Sequence, residues 1–546
     1  MPNKTGKGMT RRRFVKGATA GASIAAATGG LWIGTGPDAS AAAQSKAYSF
    51  EIPPPPIPVG DIKETITAEI VVIGAGTSGL VCANAAVESG AKVVVIAASS
   101  TPVARGGSNH AFNTKTTRKL GIKSNVGREF KEEMKCHSFR VDQDKWLLWA
   151  NRSGEAMDWL IDKMEAAGYQ TVIELGNTDP EGPMTMYPGS HSWLGGDIKS
   201  AGRGQQLVVN TLAKTAQDRG VKIHYSTTAV QLVREGNNAG RVSAVIAKTP
   251  GGTYTKYVGT KAVVLATGDF TDEEMVEKYC PWVLPLVKGG GGVYKGDGHK
   301  MALWVGAAWQ KTVPNAPNVL AQVGPETQPY RAFTGLLVNR NAARYGNEDR
   351  LGPFAGIAQM QQPETTIFAI WDRAYAERAA PWTPFGSYYG GPPQIPIQTV
   401  IEEWETNVKS GRMVKAATLD ALAGKLGLPA APLKATIERY NGFCRTGIDT
   451  EYYKRKDLLI AVDTPPFYGA SSKLPWLLFI SGGLRTNIKM QVLDKNEQVI
   501  PGLYAVGTIV GDMYANIYTF LEPGQNLGAN CVTFGYLVGK SIAAEG

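Results

Sequence analysis

The chain has 546 residues, 43% of them hydrophobic and 19% charged, which is enough apolar content for a large core spread over two to four domains and excludes a collagenous or broadly disordered chain. The formal net charge is +10, but residues 1–43 hold six Lys/Arg against one Asp, so +5 belongs to that segment and the mildly basic remainder gives no argument for a nucleic-acid partner. Cys82, Cys136, Cys280, Cys444 and Cys531 are odd in number and widely spaced, with no C-x-x-C or C-x-x-C-H, so neither a disulfide framework nor an attached haem c nor an iron–sulfur cluster is expected.

"TRRRFVKGATAGASIAAATGGLWIG" sets Arg11, Arg12, Arg13 and Lys16 before a weakly apolar Ala/Gly run, and "DASAAA" follows with small residues suited to cleavage near Ala41 or Ala43. This predicts a signal peptide of the twin-arginine kind over 1–43, and with it a periplasmic or other extracytoplasmic location reached in the folded state. The alternative is a basic tail that binds nucleic acid. The run is too rich in Ala and Gly for a membrane anchor. "EIPPPPIP" makes 44–59 a stiff Pro-rich linker.

Residues 69–73 form an apolar, β-branched run that ends at Gly74 and reads as a buried parallel strand. A helix over 78–89 and a second parallel strand over 92–96 complete a βαβ unit. "SGEAMDWLIDKMEAAG" predicts an amphipathic helix capped by Ser153 and stopped at Gly168, and "GQQLVVNTLAKTAQDRG" another that closes at Gly220. Short strands follow at 221–225, 242–248 and 254–258, and "KAVVLATGDF" adds a further strand that stops at Thr267-Gly268. From 271 the texture shifts to Pro, Gly and aromatics, as in "PNAPNVLAQVGPETQPYRAF" and "PWTPFGSYYGGPPQIP", which marks a second, α+β domain with helices near its end. "PGLYAVG" and a helix over 526–544 return to the first style.

Gly74-x-Gly76-x-x-Gly79 sits between strand and helix. Gly74 makes the tight turn, Gly76 lets a pyrophosphate approach the backbone, Gly79 lets helix and strand pack closely, and the helix N-terminus attracts the diphosphate. The turn alone is a weak signal and is also compatible with a structural loop. A dinucleotide site would carry an acid for a ribose at the end of the second strand, yet that strand ends in Ala97-Ala98.

"IVVIGAGTSGLVCANAAVESGAKVVVI", "ARGGSN", "KAVVLATGDF", "YKGDGHKMALWVGA", "GLLVNRNAARYGNED", "ISGGLRTNIKMQVLD", "VIPGLYAVGTIVGD" and "GQNLGANCVTFGYLVGKSIA" occur in that order. Together they resemble the flavoprotein family of soluble fumarate reductases, urocanate reductase and 3-ketosteroid dehydrogenases, over nearly everything after residue 65. The resemblance implies an α/β fold: a discontinuous Rossmann-like FAD-binding domain, 60–270 plus 470–546, with an inserted α+β capping domain, 271–469. It implies FAD contacts at Gly74, Gly76, Thr77, Ser78, Gly79, Gly106, Gly107, Ser108, Asn109, Gly268, Gly507, Thr508, Asn526 and Leu527. The flavin would be non-covalent, because Ser100 stands where respiratory relatives carry a linking histidine. The ribose acid would fall at Ala97, so hydroxyls such as Ser99 and Ser100, backbone groups or water must serve instead.

At the substrate end the family pattern fails. Leu478 and Phe479 replace histidines, no arginine occupies the C-terminal position between Tyr518 and Glu522, and Arg350 lies two positions earlier than the proton-donating arginine of the family. A small dicarboxylate is therefore not expected. "MYANIYTFLEPG" suits a larger, flatter, mostly neutral organic molecule. Candidate acids are Arg350 and Tyr518; candidate substrate contacts are His191, Tyr514, Glu522 and the backbone at Gly482, Gly483 and Gly524. Tyr518 reads equally as a buried structural phenol, and Arg344 with Glu348 as an internal ion pair. The five histidines show no metal spacing, so no metal is expected.

The expected reaction is hydride transfer from flavin N5 to an activated C=C bond of an enone or enoate, with a membrane-bound or periplasmic cytochrome as electron donor. The alternatives are ketosteroid-dehydrogenase-like desaturation of a ketone, and a flavin electron-transfer protein without substrate chemistry of its own.

Overall fold

The run at 70–73, continuous in apolar β-branched residues, forms the buried end of strand Ile62–Ile73. It pairs in parallel with Val93–Ile96 on one side and Tyr254–Leu265 on the other. Both faces of these strands are covered, which accounts for runs without alternation. The computed structural model describes residues 47–174, 176, 186–198, 202–288, 294–321, 323, 335–350, 352–378 and 397–545. The twin-arginine segment 1–43, and the Pro/Gly/aromatic stretches at 324–334 and 381–396, lie outside the described residues. From Ser49 onward the chain forms one compact unit.

The main sheet has eight strands. Its path runs Gln491–Leu493, Val499–Ala505, Tyr254–Leu265, Ile62–Ile73, Val93–Ile96, Lys222–His224, with Val242–Lys248 and Thr228–Arg234 branching antiparallel from Tyr254–Leu265. Helix Thr77–Glu88 packs against helices Gln205–Asp218 and Phe534–Ala544. The expected strands at 254–258 and 261–265 are one 12-residue strand. Gly259-Thr260-Lys261 reads locally as a turn, but it is a bulge, matched by a register shift between Ala68 and Ile70 on the partner.

A second, antiparallel sheet joins Leu336–Asn339, Ile367–Asp372, Phe467–Ser472 and Val414–Ala416. Trp371, Trp404 and Tyr468 fill one of its cores, and Leu422, Leu433, Ile437 and Tyr440 another. Phe467–Ser472 runs across the expected boundary at 469/470. A two-stranded ribbon, Ala316–Leu320 with Trp476–Ser481, ties the middle of the chain to its C-terminal part. Among the described residues no helix is long and apolar enough to cross a membrane.

The helix expected to start at Ser153 begins ten residues earlier. It spans Gln143–Ala166, with the Asp142 side chain accepting from Lys145 N–H at 3.2 Å. Ser153 is instead buried at mid-helix, where its Oγ accepts from Phe112 N–H at 2.9 Å. A Cβ on Gly154 would stand 2.8 Å from the Phe112 carbonyl, so Ser-Gly marks a close crossing and not a cap. The C-terminal helix opens with a π-helical stretch, Leu527–Thr533, before Phe534–Ala544. Ser153→Ala is expected to lower the unfolding free energy by ~1–3 kcal/mol by leaving the buried Phe112 N–H unpaired, measured by urea titration.

Candidate active site

A cavity of about 530 Å³ opens at the C-terminal ends of the parallel strands. One end is the glycine turn. Gly74 has φ +119°, and a Cβ there would stand 2.3 Å from the Ala266 carbonyl; a Cβ on Gly79 would stand 1.9 Å from the Gly74 carbonyl. These two glycines let strand and helix touch. Gly76 differs: a Cβ would meet nothing nearer than 3.6 Å, so its bare backbone faces the cavity. Helix Thr77–Glu88 has no side-chain cap, and its first internal bond is Leu80 N–H to Gly76 O at 3.0 Å. The N–H groups before it make no intrahelical bond, which suits an anion, although that of Ser78 also meets Cys531 Sγ. Thr77 is held by Gln205 Nε2 (3.0 Å), and Gln205 Oε1 accepts from Asn109 Nδ2 (2.8 Å). Asn109 is thus buried behind the wall and orients it, whereas Ser78, Gly106, Gly107, Ser108, Gly268, Thr508, Asn526 and Leu527 line it directly. Gly507 stands one layer back, where a Cβ would meet Ser78 Oγ at 2.4 Å.

The strand end at Ala97, Ala98 and Ser99 lies beside Thr227, Thr228 and Ala229 in the cavity wall. The two segments are zipped by Thr227 N–H to Ala97 O and Ser226 N–H to Ser99 O, both 2.8 Å. Ser99 Oγ donates to Thr101 O at 2.7 Å, and Ser100 is not part of the wall. Missing from the expected list was Arg105. Its guanidinium bonds the buried Asp269 (2.6 Å) and the Leu478 carbonyl (2.5 Å) and lies 4.7 Å over the Tyr294 ring. Burial pushes the Asp269 carboxyl up, against the pull of Arg105. Arg105 was readable only as the residue before the "GGSN" glycines, since its partners are more than a hundred residues away.

The far end is apolar and aromatic: Leu320, Trp476, Leu478, Phe479, Tyr518 and Phe520, with Asn318 among them. Tyr518 rings meet Phe479 at 5.2 Å and Phe520 at 5.7 Å. The Tyr518 hydroxyl accepts from the Asn526 N–H at 3.3 Å and from the Gly524 N–H, while burial raises its pKa above the ordinary phenol range. Tyr518 and Gly524 are therefore brought to the cavity as expected candidates. Asn318 was missed because an Asn in a Pro-rich run reads as a turn residue.

Other candidates are placed elsewhere. His191 is buried, bonded through Nε2 to Thr114 Oγ1 (2.8 Å) and through Nδ1 to Asn109 O (3.2 Å), with burial pulling its pKa down to about 4; it is a satisfied core histidine. Gly482 N–H is taken by Thr508 O (2.8 Å) and Gly483 N–H by Gln310 Oε1 (2.7 Å), so neither is free for an oxyanion. Glu522 is buried against Glu133: Glu133 is held below the usual carboxyl range by His137 (2.8 Å) and Thr519 (2.5 Å), and Glu522 is driven well above it by burial and by that neighbouring charge. Tyr514 packs 5.1 Å from Tyr518, behind the wall. Arg350 sits 5.2 Å over the Tyr345 ring and is not among the lining residues. Arg344 does form the buried ion cluster, with Glu348 and Asp449 each at 2.9 Å.

The model of the family described as "FAD binding domain" matches residues 69–520. The chain belongs to that family. The glycine cradle, the uncapped helix and the basic residues Arg105, Arg203 and Lys295 in the wall fit FAD, which is the cofactor of this flavoprotein. The chain is 25% identical over 501 residues to vinyl phenol reductase of Lactiplantibacillus plantarum, covering 87% of this chain and 95% of that one. It is 25% identical over 496 residues to a probable fumarate reductase of Shewanella frigidimarina, covering 87% and 75%. A 3-ketosteroid dehydrogenase structure from Rhodococcus jostii shares the fold, with a TM-score of 0.68 at 23% identity, covering 90% of this chain and 100% of that one. The flavoprotein is thus an FAD-dependent oxidoreductase acting on CH–CH or C=C groups. Gly79→Ala forces a Cβ into the Gly74 carbonyl; purified protein is expected to keep less than about a tenth of the wild-type flavin, since ~1.4 kcal/mol is already tenfold in affinity, read as flavin absorbance per chain.

Proposed function

We propose that this flavoprotein reduces an activated C=C bond, of an enone, enoate or vinyl-arene, in a mostly neutral ring-bearing molecule. The carrying observation is the far wall: six apolar or aromatic side chains, no histidine among the described lining residues, and beside them Arg105, whose guanidinium is matched by Asp269; the other lining cations, Arg203 and Lys295, are assigned here to the phosphates of the cofactor. A dicarboxylate would be desolvated there without cations to balance it. The likeness to vinyl phenol reductase supports the same reading.

FAD, when bound, supplies the hydride. The residues of the chain do the rest. The Thr77–Glu88 N-terminus and Gly76 hold the diphosphate end, and Ser108, Thr508 and Asn526 border the other. Asn526 Nδ2 bonds Thr508 Oγ1 at 2.9 Å, which keeps both rigid. Tyr518 Oη is the proton donor: its oxygen already accepts backbone N–H groups, which stabilise the phenolate left behind, and its raised pKa keeps the proton in place until the reaction calls for it. The apolar wall excludes water. Segment 271–469, which contributes Asn318 and Leu320, serves as the cap. Non-covalent FAD, export through the 1–43 signal and reduction by a membrane-bound or periplasmic cytochrome complete the reading; relatives named as cytochrome-linked fumarate reductases support the last.

Anaerobically reduced protein mixed with 4-vinylphenol, cinnamate, urocanate, steroid enones, unsaturated lactones and fumarate is expected to be reoxidised fastest by a neutral ring compound, followed by flavin absorbance; fumarate as the best acceptor sinks the reading. With the identified substrate, Tyr518→Phe is expected to lower kcat by ~10²–10⁴ at unchanged flavin content. The wild-type kcat should stay level as pH rises to the ordinary phenol value of ~10 and decline only beyond it, because the raised pKa keeps the donor protonated; a pH–rate profile checks this.

A further inference from the structure

In the ribbon of Ala316–Leu320 and Trp476–Ser481 the register slips between Asn318 and Val319: Asn318 is opposite Phe479, Val319 is opposite Leu477, and Leu478 is the extra residue of a bulge. Leu478 and Phe479 therefore both reach the cavity wall, which a strand of period two does not allow. The Leu478 carbonyl is taken by Arg105, which fixes the bulge. Across from it stands Asn318, buried at 0% exposure, in the wall, with neither Nδ2 nor Oδ1 bonded to any described residue. The neighbouring amides are engaged: Asn526 Nδ2 with Thr508, Asn315 Nδ2 with the Ser481 carbonyl, Gln310 Oε1 with Gly483 N–H. A buried amide unpaired at both ends is costly in the resting fold and calls for a partner from outside the chain.

We propose that Asn318 is the polar anchor of the substrate subsite and selects a neutral ring that carries one uncharged oxygen, a hydroxyl or a carbonyl. This rests on the neutral-ligand reductase reading above and names the feature of the substrate that the wall reads. The Nδ2 group donates to either kind of oxygen, and Oδ1 accepts from a hydroxyl. A carboxylate meets Nδ2 but faces Oδ1 and apolar side chains, and the guanidinium that reaches this wall, Arg105 on the Leu478 carbonyl, is already matched by Asp269, so it is disfavoured. A bare hydrocarbon leaves the amide unpaired, and so it too binds weakly. The Phe479–Tyr518 pair supplies the flat contact beside the amide.

The test uses the oxidised holoenzyme and four probes, with binding read as perturbation of the flavin absorbance: 4-ethylphenol, 4-ethylcyclohexanone, ethylbenzene and 4-ethylbenzoate. Wild type is expected to bind at least one of the first two about tenfold or more tighter than ethylbenzene and 4-ethylbenzoate; which of the two binds better distinguishes hydroxyl from carbonyl. Asn318→Leu is expected to keep its flavin and to lose that preference, with the oxygen-bearing probes falling to the ethylbenzene level. Equal binding of all probes by wild type, an undiminished preference in Asn318→Leu, or loss of flavin from the variant each overturns the assignment. A wild type that prefers the oxygen-bearing probes yet reduces no activated C=C sinks the reductase reading alone. One that reduces 4-vinylphenol and styrene with the same KM removes Asn318 alone.

Discussion

The contact on which the structure depends is that between helix Thr77–Glu88 and the strand turn before it. The Gly79 Cα stands so near the Gly74 carbonyl that a Cβ would lie 1.9 Å from it, and Gly74 in turn lies against the Ala266 carbonyl of the adjacent strand. Three backbones meet there with no side chain between them. The helix is thereby aimed with its N-terminus at the mouth of the sheet, where its first-turn N–H groups and the bare Gly76 suit a diphosphate. A larger residue at either glycine moves the helix, and the anion site moves with it.

The same economy of side chains does not extend to the ribose. The strand end at Ala97 offers no carboxylate, and the opposite segment, Thr227 to Ala229, is zipped to it through the backbone. The strand end is neutral, while the charged lining residues are Arg203, Lys295, Asp297 and Arg105, the last matched by Asp269. Phosphate charge is met by the helix terminus, and no carboxylate stands at the Ala97 strand end for a ribose.

At the other end, polarity is scarce and concentrated. Tyr518 offers one hydroxyl held by backbone N–H groups, and Asn318 one amide with no partner among the described residues. Glu522 and Glu133 sit behind the wall with His137, and His191 is bonded away in the core. Charge that a linear reading would assign to the ligand is spent on holding the loops that carry Tyr518 and Gly524. What remains exposed to a ligand is mostly ring surface, and that limits which molecules fit.

The sequence alone determined the βαβ unit, the cofactor class and the α/β fold, because these follow from signals within a few residues: apolar runs, a glycine spacing, and motifs in a set order. It named Tyr518 and Gly524, which the fold brings to the cavity wall, Tyr518 through a resemblance of motifs and not through local geometry. It misread Ser153 as a cap, because a serine that bonds Phe112 N–H across the fold looks the same, in one dimension, as one that bonds its own helix. It proposed Gly482, Gly483, His191 and Glu522 as ligand contacts, because hydrogen bonds to Thr508, Gln310, Thr114 and Glu133 join residues far apart in the chain. Asn318 and Arg105 were decided by tertiary structure for the same reason: an amide becomes an anchor, and an arginine a brace, only when a bulged strand from elsewhere in the chain is laid beside them.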